Sequence, residues 1–287
     1  MILIVKKPTD TPDDNSTGMV ADALTKKGVK FEYLDLAEID PFSNEIEGNL
    51  IWVCGIKQDA VQFEVISALN LNNRVVNSPD AIAACASKAQ TTARLLKNGV
   101  KTPDTIFTGS RKCVEKFLEK HGTVVYKPVY GFDGNGIYPF KSMSELKEDS
   151  PYYIQEYVKN NCDYRVFVVG GVAVGAIRRT SASFAHNIHQ GGFGEALEVI
   201  PEEICDIASR AAKAIGIDYC GVDLLPLEDG GYTVLEVNGT PNWHCMTAPI
   251  PSILADYLIE TESTCRCEMR CRNNVKRASK QQSKANQ

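Results

Sequence analysis

The stretch VLEVNGTPNWHCM, residues 234–246, places a glutamate inside an otherwise apolar strand. Side chains of a strand alternate between its two faces, so Glu236 and Asn238 are expected on one face. Leu235 and Val237 are expected on the other face, where they would pack against the core. A buried carboxylate needs a partner, because it loses its solvation when it leaves water. The strand therefore predicts a polar site on one of its faces.

A second carboxylate, Asp223, lies in the segment CGVDLLPL, which precedes a turn at residues 229–231. If the two segments form a hairpin, Asp223 and Glu236 are near neighbours, because they lie seven residues before and six after Gly230. Carboxylate and amide oxygens are the ligands that Mg²⁺ prefers. The pattern favours a magnesium site formed by Asp223, Glu236 and Asn238. The alternative is a loop aspartate and an unrelated charge at a strand edge.

A glycine-rich segment, VVYKPVYGFDGNGI, places Gly131, Gly134 and Gly136 between two strands. Glycine lets backbone amides approach phosphate oxygens closely, although such a segment can also be a simple turn. Lys127 lies in the apolar run before the loop, where a lysine is costly unless an anion meets it. Together the lysine and the loop favour a nucleoside triphosphate as ligand.

A later hairpin carries three arginines, Arg165, Arg178 and Arg179. Guanidinium groups suit carboxylate or phosphate binding, and the alternative is a solvated hairpin edge. The segment FAHNIHQGG that follows contains His186, Asn187 and His189. The glycines after the histidines predict a polar loop that covers a pocket. A zinc site is the alternative.

The composition is that of a folded protein with an acidic body. The chain has 287 residues, 44% of them hydrophobic and 23% charged, with a formal net charge of −5. Residues 264–287 hold seven basic side chains and one acidic, a charge of +6, so residues 1–263 carry −11. An acidic body argues against a nucleic-acid partner. No run approaches the about 18 apolar residues of a membrane span, so no membrane partner is expected.

Cysteine usage predicts a cytoplasmic location. Seven of the ten cysteines are scattered singly, which favours free thiols in a reducing compartment. The start of the chain, MILIVKKPTD, is typical of a first strand rather than a signal peptide. Cys265, Cys267 and Cys271 form a CxCxxxC pattern in the basic tail. They are expected to be reduced and disordered; a metal site is the alternative, but no fourth ligand has a suitable spacing.

Strands alternate with helices over residues 1–80, which predicts a parallel sheet with right-handed crossovers. Two helices are expected to begin at Pro79 and after Ser87. Strands are then expected to dominate, with a hairpin through Gly170 and Gly171. A helix over residues 201–216 and a closing helix near the C-terminus complete the pattern.

Taken together, these segments resemble the ATP-grasp superfamily and, within it, the RimK-like α-L-glutamate ligases. The segments lie in the family's order within about residues 75–245, and they are NSPDAIAACASKAQTTARLLKNGVKTPDT, VVYKPVYGFDGNGI, YYIQEYV, CDYRVFVVGG, HNIHQGG, GVDLL and VLEVNGTP. The resemblance implies a mixed α/β and α+β fold, with the nucleotide held between two α+β lobes. The implied divisions are a pre-ATP-grasp α/β domain (1–85), a lobe with the lysines and the glycine loop (86–160), a lobe with the metal ligands (161–262), and a disordered basic tail (263–287).

The resemblance also implies roles for individual residues. Lys88 and Lys127 would contact ATP phosphates, and the loop from Gly131 through Gly134 to Gly136 would close over them. The adenine hinge would be Gln155, Glu156, Tyr157 and Val158, with Glu156 as its polar contact. Arg165 and Arg178 would hold the acyl phosphate or the acidic substrate, with Arg179, Asn187 and His189 as further substrate contacts. Asp223, Glu236 and Asn238 would bind two Mg²⁺ ions, with Mn²⁺ as an alternative metal.

The implied chemistry is amide formation. A carboxylate attacks the γ-phosphate of ATP to give an acyl phosphate, and the amine of L-glutamate then displaces phosphate. The appearance of the segments around VLEVNGTPNWHCM is similar to that of ligases that add glutamate to coenzymes of methanogenic archaea. The expected acceptor is tetrahydromethanopterin. The alternative acceptors are the deazaflavin coenzyme and a protein or peptide terminus. The alternative functions are a ligase that joins two amino acids and a non-catalytic nucleotide-binding regulator. The protein could also form a homo-oligomer.

The sequence departs from the family pattern at two positions. Many relatives carry an arginine after the phenylalanine and another after the histidine of the FRxNxHRGG motif. This chain has Ala185 and Gln190 there instead. The loss of two cations puts the identity of the acceptor in doubt and leaves the ATP chemistry intact.

Overall fold

The computed structural model describes residues 1–43, 45–57, 60–131, 135–180, 193–243, 245–265 and 267. Its strands are β1 (Ile2–Val5), β2 (Phe31–Tyr33), β3 (Leu50–Val53), β4 (Arg74–Val76), β5 (Thr105–Thr108), β6 (Val124–Lys127), β7 (Tyr138–Phe140), β8 (Tyr152–Glu156), β9 (Asp163–Val169), β10 (Val172–Thr180), β11 (Phe193–Ala196), β12 (Tyr219–Pro226) and β13 (Tyr232–Asn238). Its helices are α1 (Ser16–Lys26), α2 (Ala60–Leu69), α3 (Pro79–Ala86), α4 (Lys88–Lys97), α5 (Arg111–His121), α6 (Glu202–Ile215) and α7 (250–265).

The chain forms two compact units. The first combines residues 1–79 with the segment from Pro249 onward, and the second is Asp80–Ala248. Helix α7 therefore belongs with the N-terminal segment, and it continues past residue 262 to 265. The four divisions expected from the sequence stay a prediction. In the described part of the chain no helix is both long and apolar enough to span a membrane.

The first unit contains the parallel sheet that the alternating pattern predicts. Its strand order is β2-β1-β3-β4, and all three neighbouring pairs are parallel. Every residue of β1 and β3 is buried, which explains why these strands are continuous apolar runs rather than alternating ones.

The second unit begins with helices α3 and α4 and contains an antiparallel sheet of order β5-β8-β6-β7. Helix α5 covers one face of it, with Val114, Phe117 and Leu118 in the same core cluster as strand residues such as Val124 and Ile154. Strands were expected to dominate this region, and α5 was not predicted. Its three buried residues at spacings of three and one are the helical signal, diluted by the charged remainder of RKCVEKFLEKH.

The other sheet of the second unit is antiparallel, with the order β11-β10-β9-β12-β13. Helix α6 packs on one face, where Ile204, Ala208 and Ala211 join a cluster that includes Val166 and Val222. The predicted helix over residues 201–216 is confirmed. Helix α6 covers one face, and the other face carries Asp163, Arg165, Arg179, Asp223 and Glu236.

Strands β12 and β13 form the hairpin expected around the glycine turn. The register shifts between Asp223 and Leu224, so that Leu224 pairs with Val234. The expectation that Leu235 packs beside Val237 is wrong, because this irregularity puts Val234 into the core cluster and leaves Leu235 half-buried. Val237 is fully buried, as expected.

Candidate active site

The two carboxylates of the hairpin are direct cross-strand neighbours. Asp223 on β12 pairs with Glu236 on β13, and Gly221 pairs with Asn238 two positions along. The Nδ2 of Asn238 donates to the carbonyl oxygen of Gly221 at 3.4 Å. Three side chains with oxygen atoms therefore come from adjacent positions of one hairpin, as the sequence predicted.

Two arginines hold the Asp223 carboxylate. Arg165 on β9 is its partner across the strands and donates through Nε to Oδ1 and through Nη2 to Oδ2, the latter at 2.8 Å. Nη2 of Arg179 on β10 lies 3.1 Å from Oδ2. Burial raises the pKa of Asp223, but the charges of Arg165 and Arg179 outweigh it and lower that pKa to about 2. Asp223 is therefore ionised at every pH at which the protein would work.

Gly221 makes room for Arg165. A Cβ atom at residue 221 would lie 2.9 Å from Cδ of Arg165 and 3.0 Å from Cβ of Pro241. Both distances are shorter than ordinary van der Waals contacts. The glycine is thus needed for close approach rather than for its backbone conformation.

Arg178 and Arg179 lie on opposite faces of β10, because neighbouring side chains of a strand alternate. Arg178 pairs with Tyr164, which packs against the α6 core, whereas Arg179 pairs with Asp163 and reaches Asp223. The structure brings Arg165 and Arg179 together at the carboxylates and places Arg178 on the far face. The sequence pattern could not decide between the two arginines, since it did not give the register.

Lys127 is buried at the end of β6. Its Nζ donates to Oε1 of Gln155 on β8 at 2.5 Å, and Nε2 of Gln155 donates to Oγ1 of Thr105 at 3.1 Å. Burial lowers the pKa of Lys127 to about 8, with the charge of Lys88 acting in the same direction and those of Glu236 and Asp223 opposing it. A buried cation held by one neutral amide is ready to receive an anion.

Lys88 connects the glycine segment to the carboxylates. It is the first residue of α4, whose preceding residue Ser87 accepts a hydrogen bond from the backbone N–H of Gln90, as expected for a cap. Nζ of Lys88 lies 3.2 Å from Oε1 of Glu236 and donates to the carbonyl oxygen of Gly131 at 3.2 Å. One lysine thus contacts two of the predicted ligand-binding segments.

The predicted hinge, residues 155–158, divides between the two faces of its sheet. Gln155 shares a face with Lys127, while Glu156 lies on the face that α5 covers. There Oε1 of Glu156 accepts the backbone N–H of Asp104 at 2.9 Å, and Oε2 lies 3.5 Å from Nδ1 of His121. The Glu156 side chain is therefore engaged away from Lys127, and its backbone N–H donates to the carbonyl oxygen of Asp104 at 2.8 Å.

The rest of the predicted hinge and loop is described in part. The Tyr157 side chain is 37% exposed, and the carbonyl oxygen of Val158 accepts a hydrogen bond from Asn160 at 2.8 Å. Gly136 has a φ of 73°, a conformation that favours glycine. Gly134, Asn187 and His189 lie outside the described residues, as do Ala185, His186, Gln190 and Cys271.

One charged residue of this face, Asp163, was not predicted from the sequence. It is buried at the start of β9 and accepts a hydrogen bond from Nε of Arg179 at 2.5 Å. The available signal was its spacing, since Asp163 lies two residues before Arg165 and so shares its face of the strand.

The oxygen donors of the hairpin fit a hard divalent cation. Among the described residues no group of three or more histidine, cysteine, aspartate and glutamate side chains is arranged to hold a metal. The candidate set differs, because Asn238 supplies an amide oxygen beside Asp223 and Glu236. Each carboxylate oxygen has two lone pairs. Oδ2 of Asp223 already has two guanidinium donors, whereas Oδ1 has one and keeps a lone pair for a metal, as does Oε1 of Glu236 beside Lys88. Such a set suits Mg²⁺.

Comparisons with known proteins agree with this geometry. The RimK-like ATP-grasp domain model matches residues 85–261. The chain is 35% identical to tetrahydromethanopterin:alpha-L-glutamate ligase of Methanocaldococcus jannaschii, over 69% of this chain and 73% of that protein. It is 31% identical to N-acetylaspartylglutamate synthase A of Mus musculus, over 65% of this chain and 54% of that protein.

Solved structures show the same fold at lower identity. The ATP-grasp ligase PsnB in complex with its minimal precursor has a TM-score of 0.73 and 22% identity, over 91% of this chain and 98% of that one. D-cycloserine synthetase DcsG has a TM-score of 0.70 and 16% identity, over 91% of this chain and 99% of that one. The ATP-grasp fold expected from the sequence is confirmed.

Proposed function

Since the chain belongs to the RimK-like ATP-grasp family, we propose that this ATP-dependent ligase joins the amine of L-glutamate to a carboxylate of tetrahydromethanopterin. The observation that carries the proposal is the cross-strand pair Asp223 and Glu236, with Lys88 and Lys127 beside it, inside the segment that matches the family. The 35% identity to a ligase with this acceptor supports the choice of substrate.

The two lysines and the glycine segment are proposed to bind the phosphates of ATP. Phosphoryl transfer needs alignment and charge stabilisation more than a covalent protein group, and Lys88 and Lys127 supply positive charge. Lys127 would exchange the neutral amide of Gln155 for a phosphate oxygen. The segment Gly131–Gly136 would close over the nucleotide and exclude water, which would otherwise hydrolyse an acyl phosphate.

The hairpin is proposed to hold Mg²⁺ with the ATP. Asp223, Glu236 and Asn238 would be the ligands, and Mn²⁺ would fit the same oxygen donors. A solved structure of PsnB contains Mg and ADP. Divalent cations bound here would neutralise charge on the transferred phosphoryl group.

Arg165 and Arg179 are proposed to orient the reacting carboxylate. Both guanidinium groups are fixed by Asp223 on the site face, where they can stabilise an acyl phosphate. Asn187 and His189 stay predicted substrate contacts, and the predicted role of Arg178 would require it to act from the far face of β10. The hinge contribution of residues 155–158 is proposed to come from the backbone. A cytoplasmic location and a homo-oligomer also stay predictions.

Product analysis tests the proposal. Incubating the protein with ATP, Mg²⁺, L-glutamate and tetrahydromethanopterin should release ADP and raise the acceptor mass by one glutamyl unit. Glu236→Ala and Lys127→Ala should each lower turnover by about 100-fold or more, because each removes charge stabilisation made in the transition state. Asp80→Asn, which breaks a surface pair with Arg94, is the matched control. Full turnover in either site variant would contradict the assignment.

A second candidate acceptor is an acylated amino acid such as N-acetylaspartate. The identity of 31% to N-acetylaspartylglutamate synthase A favours it, although the chain spans about half the length of that protein. The deazaflavin coenzyme and a peptide terminus complete the panel. Mass gain on one of these acceptors and none on tetrahydromethanopterin would reassign the substrate. ATP binding without product on the whole panel would favour the nucleotide-binding regulator.

A further inference from the structure

Asp163 has no role in the reaction as described so far, yet it lies on the face of the sheet that carries Asp223. Its side chain is 7% exposed and accepts a hydrogen bond from Nε of Arg179. The same guanidinium reaches Oδ2 of Asp223 through Nη2 at 3.1 Å. One buried arginine therefore links Asp163 to a proposed metal ligand.

The charges of this cluster balance. Asp163 and Asp223 carry two negative charges, Arg165 and Arg179 carry two positive ones, and the four side chains are between 5% and 16% exposed. Little water is available to compensate for a missing partner. Without the charge of Asp163, two guanidinium groups would face one carboxylate, and the cluster would carry a net positive charge.

The position of Arg179 depends on Asp163. With Nε engaged by Asp163, Arg179 contacts Asp223 through its terminal Nη2, whereas Arg165 makes a two-point contact. Released from Asp163, Arg179 could turn both terminal amino groups toward Asp223 and compete for the lone pair that remains on Oδ1. A net positive charge would also repel a divalent cation.

We propose that Asp163 is a positioning residue that acts through Arg179 and keeps the carboxylate of Asp223 available to a divalent cation. The inference rests on the proposed function, because it takes Asp223 as a metal ligand. In metal sites, residues that do not touch the metal often orient the side chains that do. Asp163 would act in this way, by fixing Arg179, which in turn contacts Asp223.

Metal binding without turnover tests the inference. Mn²⁺ is titrated into the full chain with ADP present and no acceptor, and free Mn²⁺ is measured by electron paramagnetic resonance. Asp163→Asn should weaken Mn²⁺ binding by about tenfold or more, the usual effect of losing an outer partner. ADP binding without metal should stay at the wild-type level. In turnover, the apparent KM for Mg²⁺ should rise more than kcat falls. Unchanged Mn²⁺ affinity in Asp163→Asn would overturn the inference.

A double-mutant cycle separates action through Arg179 from a general structural role. In an Arg179→Gln background the target of Asp163 is absent, so adding Asp163→Asn should cause little further loss of Mn²⁺ affinity. Losses that add in full would overturn the inference. Asp163→Glu keeps the charge and should bind Mn²⁺ more tightly than Asp163→Asn; equal weakness of the two would overturn the charge-balance argument.

Two controls locate a failure. Asp80→Asn breaks an aspartate–arginine pair of the same composition at the surface and should bind Mn²⁺ as the wild type does. If the wild type itself binds no Mn²⁺ with ADP, the proposed function fails and this inference fails with it. If the wild type binds Mn²⁺ and Asp163→Asn binds it with the same affinity, this inference is wrong and the proposed function is unaffected. Thermal unfolding of each variant shows whether the fold is intact.

Discussion

At the scale of single residues, the site face is organised by charges that are removed from water and given partners. Lys127 is the exception, because its nearest polar partner is the neutral amide of Gln155. Asp223, by contrast, meets two guanidinium groups. The net pKa shifts therefore differ in their effect on charge. Burial lowers the pKa of Lys127 to about 8 and so disfavours its charged form, whereas the arginines lower the pKa of Asp223 to about 2 and keep it ionised.

The weakened cation predicts an alkaline limit to activity. Below about pH 8 Lys127 is protonated, and above it the free enzyme loses this positive charge, so kcat/KM for ATP should fall as pH rises through about 8. This fall in kcat/KM is measured from ADP release at pH values between roughly 6.5 and 9.5, a range that brackets the pKa of Lys127. Lys127→Arg stays charged over this range and should lack the decline. A flat wild-type profile would contradict the prediction.

The juxtaposition of Asp223, Glu236 and Asn238 could be predicted from the sequence, because strand alternation and the position of the turn are local properties. The arginines beside them could not be assigned in this way. The choice between Arg178 and Arg179, and the part of Asp163, depend on the pairing of β9 with β10. No sequence pattern gives that pairing to within one residue, and a shift of one residue exchanges the faces.

At the scale of elements, the hairpin of β12 and β13 is the part on which the site depends. One of its faces is packed against α6, and the other carries the proposed metal ligands. The sequence predicted this hairpin and α6 because a glycine turn and a helical apolar stripe are strong local signals. It missed α5, where the apolar residues are few, and it gave Leu235 the wrong face because an irregular register is invisible in the residue pattern.

Gly221 provides a test at this scale. Gly221→Ala should displace Arg165 and Pro241 and destabilise the protein by roughly 1–3 kcal/mol, the usual cost of overpacking. Turnover should also fall, because a displaced Arg165 would lose its two-point contact with Asp223. Urea unfolding and ADP release measure the two effects.

Gly109→Ala is the matched control for this variant. Nothing lies within 4 Å of a Cβ at residue 109, so the change should leave stability the same or raise it by about 0.4–1 kcal/mol. Equal behaviour of the two alanine variants would show that close packing at Gly221 is unimportant.

At the scale of the whole molecule, the proposed site occupies one of the two units. Its described residues fall between Lys88 and Asn238, inside the unit Asp80–Ala248 and inside the family match. The parallel sheet of residues 1–79 contributes none of them. The sequence is consistent with this location, since the motifs begin only after the alternating strands and helices end.

The C-terminal segment should therefore be dispensable for chemistry. A chain that ends after Cys267 loses six basic residues and one acidic residue, a net charge of +5. ADP release and product mass should remain at the level of the full chain, because the family match ends at residue 261. Loss of turnover, with an unchanged thermal unfolding midpoint, would show that residues 268–287 take part in the reaction.

The contact between Lys88 and Glu236 has a further consequence. The carboxylate of Glu236 has a counterion in Nζ of Lys88, at 3.2 Å. Binding of a nucleotide together with its cation then resembles ion exchange: Lys88 transfers from the carboxylate to phosphate oxygens, and the carboxylate is freed for the arriving cation. Neither charge is left bare if the two ligands arrive together. Each ligand alone would break a pair without replacing it, so nucleotide and cation should bind with positive cooperativity.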